Sequence, residues 1–107
     1  MRALDAVNQL RLSARIVEMS APRHTPAGLP ALDLRLEHES RTQEAGQDRQ
    51  VKAALKAVAL GVMAERLSQQ AIGSGGCFTG FLASPRNAKS VVFHIQDFHQ
   101  QDLSGGS

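Results

Sequence analysis

Tryptophan and tyrosine are absent from the 107 residues and only four phenylalanines occur, so a nucleic-acid base would find few aromatic faces to stack on. A single cysteine, Cys77, excludes an internal disulfide, as a reducing compartment predicts, and reads as a small buried apolar residue rather than a reactive thiol. No run approaches the roughly 18 consecutive apolar residues of a membrane helix, and Met1-Arg-Ala-Leu-Asp-Ala6 lacks the apolar stretch of a signal peptide. Together these absences predict a soluble, cytoplasmic protein with no membrane partner. His24, His38, His94 and His99 show no metal-ligand spacing and have one cysteine to join them, so no metal or other cofactor is assigned. No nucleophile-elbow signature accompanies the Ser, His and Asp residues, and Gly73-Ser-Gly-Gly76 lacks the trailing Lys and Ser/Thr of a P-loop. Catalysis is not expected.

The charge is small as well. Twelve Lys/Arg against ten Asp/Glu leave +2, too little for a non-specific DNA coat and compatible with a localised basic face. The length suits one domain with a single modest core. That domain is placed at residues 8–100, with residues 1–7 as an N-terminal arm and 101–107, ending Ser-Gly-Gly-Ser, as a tail.

What is present is mainly alternation. Leu10, Leu12, Ala14 and Ile16 alternate with Arg11, Ser13, Arg15 and Val17, a strand with two arginines on its outer face. Pro26 and Pro30 bracket Ala27-Gly28-Leu29, where proline fixes φ and glycine permits a positive one, so the chain turns. Leu32, Leu34 and Leu36 then alternate with Asp33, Arg35 and Glu37 in a half-buried strand ending near Ser40, followed by a polar turn over Gln43–Gln50. Cys77–Leu82 reads as a strand in which Gly80 suits a bulge or tight bend. A hairpin loop over Ala83–Ser90 leads to a last strand, in which Val91, Phe93 and Ile95 alternate with Val92, His94 and Gln96 toward Phe98. Phe78, Phe81, Phe93 and Phe98 are all expected in the core.

Residues 49–68 admit two readings. Helix formers dominate, and propensity alone predicts a helix, which would give an α+β fold with an unrelated role. Alternation fits a strand, with Val51, Ala53, Leu55, Ala57 and Ala59 on one face, Lys52 and Lys56 on the other, and Gly61 breaking any helix through the whole stretch.

Arg11, Arg15, Arg35, Lys52 and Lys56 all fall on outward faces in this alternation. A solvated surface is the default for any one of them. Five on adjoining strands suggest a phosphate track, diluted by Asp33, Glu37 and Glu39.

From about Asn8 to His99 the chain resembles the primosomal replication protein N (PriB) family, relatives of bacterial single-strand DNA-binding protein. The resemblance is carried by Asn8-x-Leu10-x-Leu12-Ser13, Gly28-Leu29-Pro30, Leu36-Glu37-His38 with Ser40, Gln43-Glu44-Ala45-Gly46, Arg49-Gln50, Gly61, Gln70-Ala71-Ile72 and Gly80-Phe81, in order and nearly without gaps. It implies an all-β OB-fold, a five-stranded Greek-key barrel with one short helix between strands three and four, and so places strand at 49–61 and helix at 62–70. It further implies a homodimer that binds single-stranded DNA without sequence preference, stabilises the PriA helicase on DNA and promotes recruitment of DnaT. By position, Arg23 stands for a first-loop lysine of the family, Arg49 matches an arginine, and Arg86 and Lys89 fall in the last hairpin loop, which is shorter here. Better-known members carry tryptophan at the position of Lys52, phenylalanine at that of Gln47 and can carry arginine at that of Glu39. Phosphate contacts by Lys52 and Lys56 in place of stacking would make binding more salt-dependent. The alternative reading is a protein-interaction adaptor of the primosome that binds DNA weakly.

Overall fold

A computed structural model describes residues 6–101, so most of the expected arm and tail lies outside the described residues. The elements are β1 (Leu10–Met19), β2 (Arg23–His24), β3 (Pro30–Glu44), β4 (Gln47–Leu60), α1 (Val62–Ser68), β5 (Gly75–Ala83) and β6 (Val92–Gln100). β1 pairs antiparallel with β5 through Leu10–Arg15 and then with β3 through Arg15–Met19. β3 runs antiparallel to β4, β4 parallel to β6, and β6 antiparallel to β5. Because β1 touches both β3 and β5, the sheet closes on itself, which is the OB-fold arrangement.

The described residues form six strands rather than the expected five, and the addition is local. Arg23 and His24 pair with Ala31 and Pro30, which turns the Thr25–Leu29 reversal into a small hairpin on the edge of β3. Thr25 holds that reversal through Gly28 N–H donating to its carbonyl at 2.8 Å and Leu29 N–H donating to its hydroxyl at 3.1 Å.

Residues 49–68 divide as the family pattern requires, against their helical propensity. Leu55, Ala57 and Ala59 face inward opposite Leu36, Leu34 and Leu32, and these small side chains fill a narrow barrel that larger ones would overpack. At Gly61, with φ of 66°, the chain leaves the strand and enters α1, seven residues long, whose Ala64 and Leu67 join the core. The helix stops two residues short of expectation. Arg66 fastens it to β6, donating from Nη2 to the Phe98 carbonyl at 3.1 Å, with Asp97 3.7 Å from Nη1.

The largest fully buried side chains are Phe78, Phe93, Ile16, Leu32, Leu36 and Leu67. Cys77 is buried as expected. Two bulges adjust the alternation. On β1 the register steps from Ile16↔Leu36 to Glu18↔Arg35, so Val17 is the extra residue. On β6 it steps from Ile95↔Gly80 to Asp97↔Thr79, and the extra Gln96 lets Phe93, Ile95 and Phe98 all point inward. Gly80 sits at this step, where an added Cβ would lie 1.8 Å from the His94 carbonyl oxygen, so only glycine allows β5 to approach β6 so closely.

Three expectations need correction. Phe81 is not in the core; it lies partly exposed on the outer side of β5, out of phase with inward Phe78 and Leu82. β5 begins at Gly75, before Cys77, because Gly76 is pressed against the Phe98 ring and is part of the packed sheet. β3 does not end near Ser40: its ladder with β4 continues unbroken to Glu44↔Gln47. Ala45 and Gly46, with φ of 54° and 78°, then reverse the chain in the two-residue turn that right-twisted hairpins favour.

Candidate nucleic-acid interface

With inward positions filled by leucine and alanine, the register of β3 against β4 dictates which charges meet on the outer face. Arg35 lies directly opposite Lys56, Glu37 opposite Ala54, Glu39 opposite Lys52 and Arg41 opposite Gln50. Two like charges directly across an antiparallel pair repel each other, and neither Arg35 nor Lys56 is ion-paired among the described residues. An anion laid over this point would relieve the repulsion. Glu18, which faces Arg35 from β1, is the nearest acidic register partner. Lys52 lies four residues along the same face of β4, about 13 Å from Lys56 at strand spacing.

The remaining sequence candidates are placed less uniformly. Arg15 faces Glu37 from β1, whereas Arg11 lies opposite Thr79 of β5, around the barrel from the Arg35–Lys56 pair. Arg23 is bidentate on Asp33, at 2.7 Å from Nε and 3.0 Å from Nη2. The Asp33 carboxyl is held below its ordinary pKa chiefly by that hydrogen bond, and the Arg23 guanidinium is raised for the same reason. Arg49 is ion-paired with Glu44 at the hairpin tip. Both pairs are half exposed or more, the regime in which an ion pair is worth about 0–1 kcal/mol, so a phosphate can compete for either arginine. Arg86 and Lys89 are exposed in the loop between β5 and β6, shaped by a turn in which Ala88 N–H donates to the Pro85 carbonyl.

Two groups escaped the sequence reading. Arg41 continues the outward series of β3, and its signal was the same alternation, hidden by ending the strand too early. Phe81 stacks on His94 with ring centroids 4.8 Å apart and planes 10° apart, a pairing visible only once β5 and β6 are in register.

Residues that carry the family resemblance also find their places in the seams. Asn8 clamps the entry to β1, donating from Nδ2 to the Leu82 carbonyl at 2.7 Å and accepting Leu82 N–H at 3.0 Å. His38 donates from Nδ1 to the Ser13 carbonyl at 2.6 Å, and its Nε2 lies 2.7 Å from the Ser40 hydroxyl. It bridges the two strands just where their ladder stops, beside a groove of about 660 Å³ that Arg15, Glu39 and Lys52 help to line.

A small closed barrel of this strand order is an OB fold, and Arg35 and Lys56 meet on the outer face of its β3–β4 hairpin. The model of a family described as another single-strand binding protein family matches residues 8–97. The replication restart protein PriB of Bordetella pertussis is 48% identical over 91 residues, covering 84% of this chain and 85% of that protein. Its counterpart in Nitrosomonas europaea is 36% identical, covering 84% of each. Among solved structures, PriB from Ralstonia solanacearum superposes with a TM-score of 0.82 at 38% identity, over 90% of this chain and 99% of that one. The single-stranded DNA binding protein of Thermus aquaticus gives 0.72 at 25% identity, over 92% and 52%. The chain belongs to the PriB family of replication restart proteins. Membership of this family makes it a binding protein and not an enzyme.

Proposed function

We propose that this chain binds single-stranded DNA during replication restart, laying the backbone across the outer face of β3 and β4. The observation that carries the reading is the unpaired Arg35–Lys56 juxtaposition, a local excess of positive charge that the fold holds in place. Lys52, Arg15 and Arg41 extend the track along the sheet, while Arg86 and Lys89 flank it from the β5–β6 loop and Arg11 lies beyond it on β1. Arg23 and Arg49 join when phosphate displaces Asp33 and Glu44. Binding of this kind is sequence-independent and governed by salt.

The chain acts as a cytoplasmic homodimer in this reading. Leu10–Ala14 has a strand partner in β5 on one side, while on the other the ladder with β3 begins only at Arg15, which leaves a strand edge for a second copy. Its role in the primosome is to stabilise the PriA helicase on DNA and to promote DnaT recruitment, as the family resemblance implies. The adaptor reading has its own support: Lys52 and Gln47 stand where relatives have stacking aromatics, and two candidate arginines are tied to carboxylates.

Fluorescence anisotropy of labelled oligo-dT at several salt concentrations separates the two. Sub-micromolar binding with a steep salt slope, reduced by about 0.7 for each phosphate contact removed in Lys56→Gln or Arg35→Gln, establishes the electrostatic binder. Absence of binding at low salt leaves the adaptor.

A further inference from the structure

Phe78, Phe93 and Phe98 are buried, which leaves Phe81 as the aromatic ring on the outer face of the sheet. Its position is set by register. Asp33 faces Val58, Val58 faces His94 and His94 faces Phe81, so one register row crosses β3, β4, β6 and β5, passing through the buried Val58, and ends in the partly exposed ring stack. Gly80 tightens the arrangement by admitting the His94 backbone where any Cβ would collide.

The neighbouring row, two residues along each strand, holds Arg35 opposite Lys56 and Val92 opposite Ala83. At about 3.3 Å per residue and about 4.8 Å between strands, the backbones of Lys56 and His94 lie about 8 Å apart. That is the reach from a phosphate to the base it carries. Beside the stack runs a groove of about 450 Å³ walled by Val58, Leu60, Val62 and Met63, with the Gln96 amide at its rim and no charged side chain in its lining. An uncharged groove with a ring stack, placed next to a cation pair, matches a ligand that is flat and uncharged at one end and anionic at the other.

We propose that the Phe81–His94 pair is a nucleobase-stacking site within the single-strand path, with Arg35 and Lys56 holding the adjoining phosphate. The inference rests on the reading of the chain as a single-strand binder and assigns that reading a base contact. The apolar groove receives a base of the DNA, not a segment of another protein, because the cations beside it complement a polyanion.

The test titrates the full chain against labelled oligo-dT and against an abasic strand of equal length, over a range of salt. Phe81→Leu keeps apolar bulk and removes the π-face, and circular dichroism reports whether the variant keeps its strands; His94→Gln is the second variant if it does not. Expected is tighter binding of oligo-dT than of the abasic strand, a loss for oligo-dT of roughly 5- to 150-fold in Phe81→Leu, and no change for the abasic strand or in the salt slope. Lys56→Gln should do the reverse, lowering the slope for both strands. Irradiation of a strand carrying 5-iododeoxyuridine should attach it to a peptide containing Phe81 or His94. Wild-type oligo-dT affinity in the folded variant, with adducts confined to the β3–β4 hairpin or absent, overturns the base site and leaves the single-strand reading intact. Failure of the wild type to bind either strand overturns both.

Discussion

β3 and β4 form one hairpin in one register, yet its two ends obey different physics. At the barrel end Leu32, Leu34 and Leu36 meet Ala59, Ala57 and Leu55, and the alternation of the sequence becomes an inside and an outside. Beyond Ser40↔Val51 every residue from Arg41 to Gln50 is exposed on both faces of the ribbon. Nothing is buried there, so the far end is held by backbone hydrogen bonds, by the Ala45-Gly46 turn and by pairs such as Gln43 Nε2 donating to Asp48 at 3.0 Å. Burial makes the near half expensive to change. The far half is free to carry charge, and it holds Arg41 and Arg49 against Glu44 and Asp48.

Substitution should separate the halves clearly. Leu36→Ala, at a fully buried site, is expected to destabilise the protein by about 2–5 kcal/mol in chemical denaturation, whereas Gln43→Ala on the same strand should stay within about 0.5 kcal/mol. Equal losses would show that the ribbon is part of the core after all. Gly80→Ala comes next: its methyl would strike the His94 carbonyl, so β5 and β6 must part, and about 1–3 kcal/mol should be lost. The contrast sharpens at the tip, where Ala45 adopts a positive φ that asparagine tolerates better. Ala45→Asn is expected to raise stability by a few tenths of a kcal/mol, to about 1 at most, and to protect hairpin amides from hydrogen exchange.

The smallest effect concerns Asp33. Its folded pKa lies below the ordinary value near 3.9, so the Arg23 pair stabilises the protein above that pH and the contribution disappears as pH falls through the lower folded value. Half exposed, the pair should account for less than about 1 kcal/mol at neutral pH, and Asp33→Asn should remove that acid-side loss. The same substitution releases Arg23, so low-salt affinity for oligo-dT should rise. Unchanged affinity would show that Arg23 lies off the DNA path.

Legibility in the sequence followed burial. The strand faces of β1 and the near half of β3 were plain because three or four consecutive alternating leucines or alanines report a buried side directly. Arg15, Arg35, Lys52 and Lys56 were placed outward by that same alternation. Arg41 was missed because Ser40 and the polar residues after it lose the apolar half of the signal while the strand itself goes on. Phe81 was assigned to the core because it neighbours Leu82 in an apolar run; periodicity cannot say which of two adjacent apolar residues faces in. Residues 49–60 were the hardest, since alanine, leucine and lysine favour a helix locally, and only the resemblance chose a strand.

By itself, the sequence determined the small aromatic inventory, the reversal around Gly28, the leucine faces that must be buried and the order of elements that the PriB family shares. These follow from local chemistry and period. The tertiary structure decided what depends on distant neighbours: that alanines at 57 and 59 line a closed barrel, that bulges at Val17 and Gln96 reset which side faces in, and that Arg35 meets Lys56 while Phe81 meets His94. Cross-strand partners come from pieces of chain far apart in sequence, and a one-residue shift of register would turn each to the other face, so only the closed sheet fixes which side chains share a site.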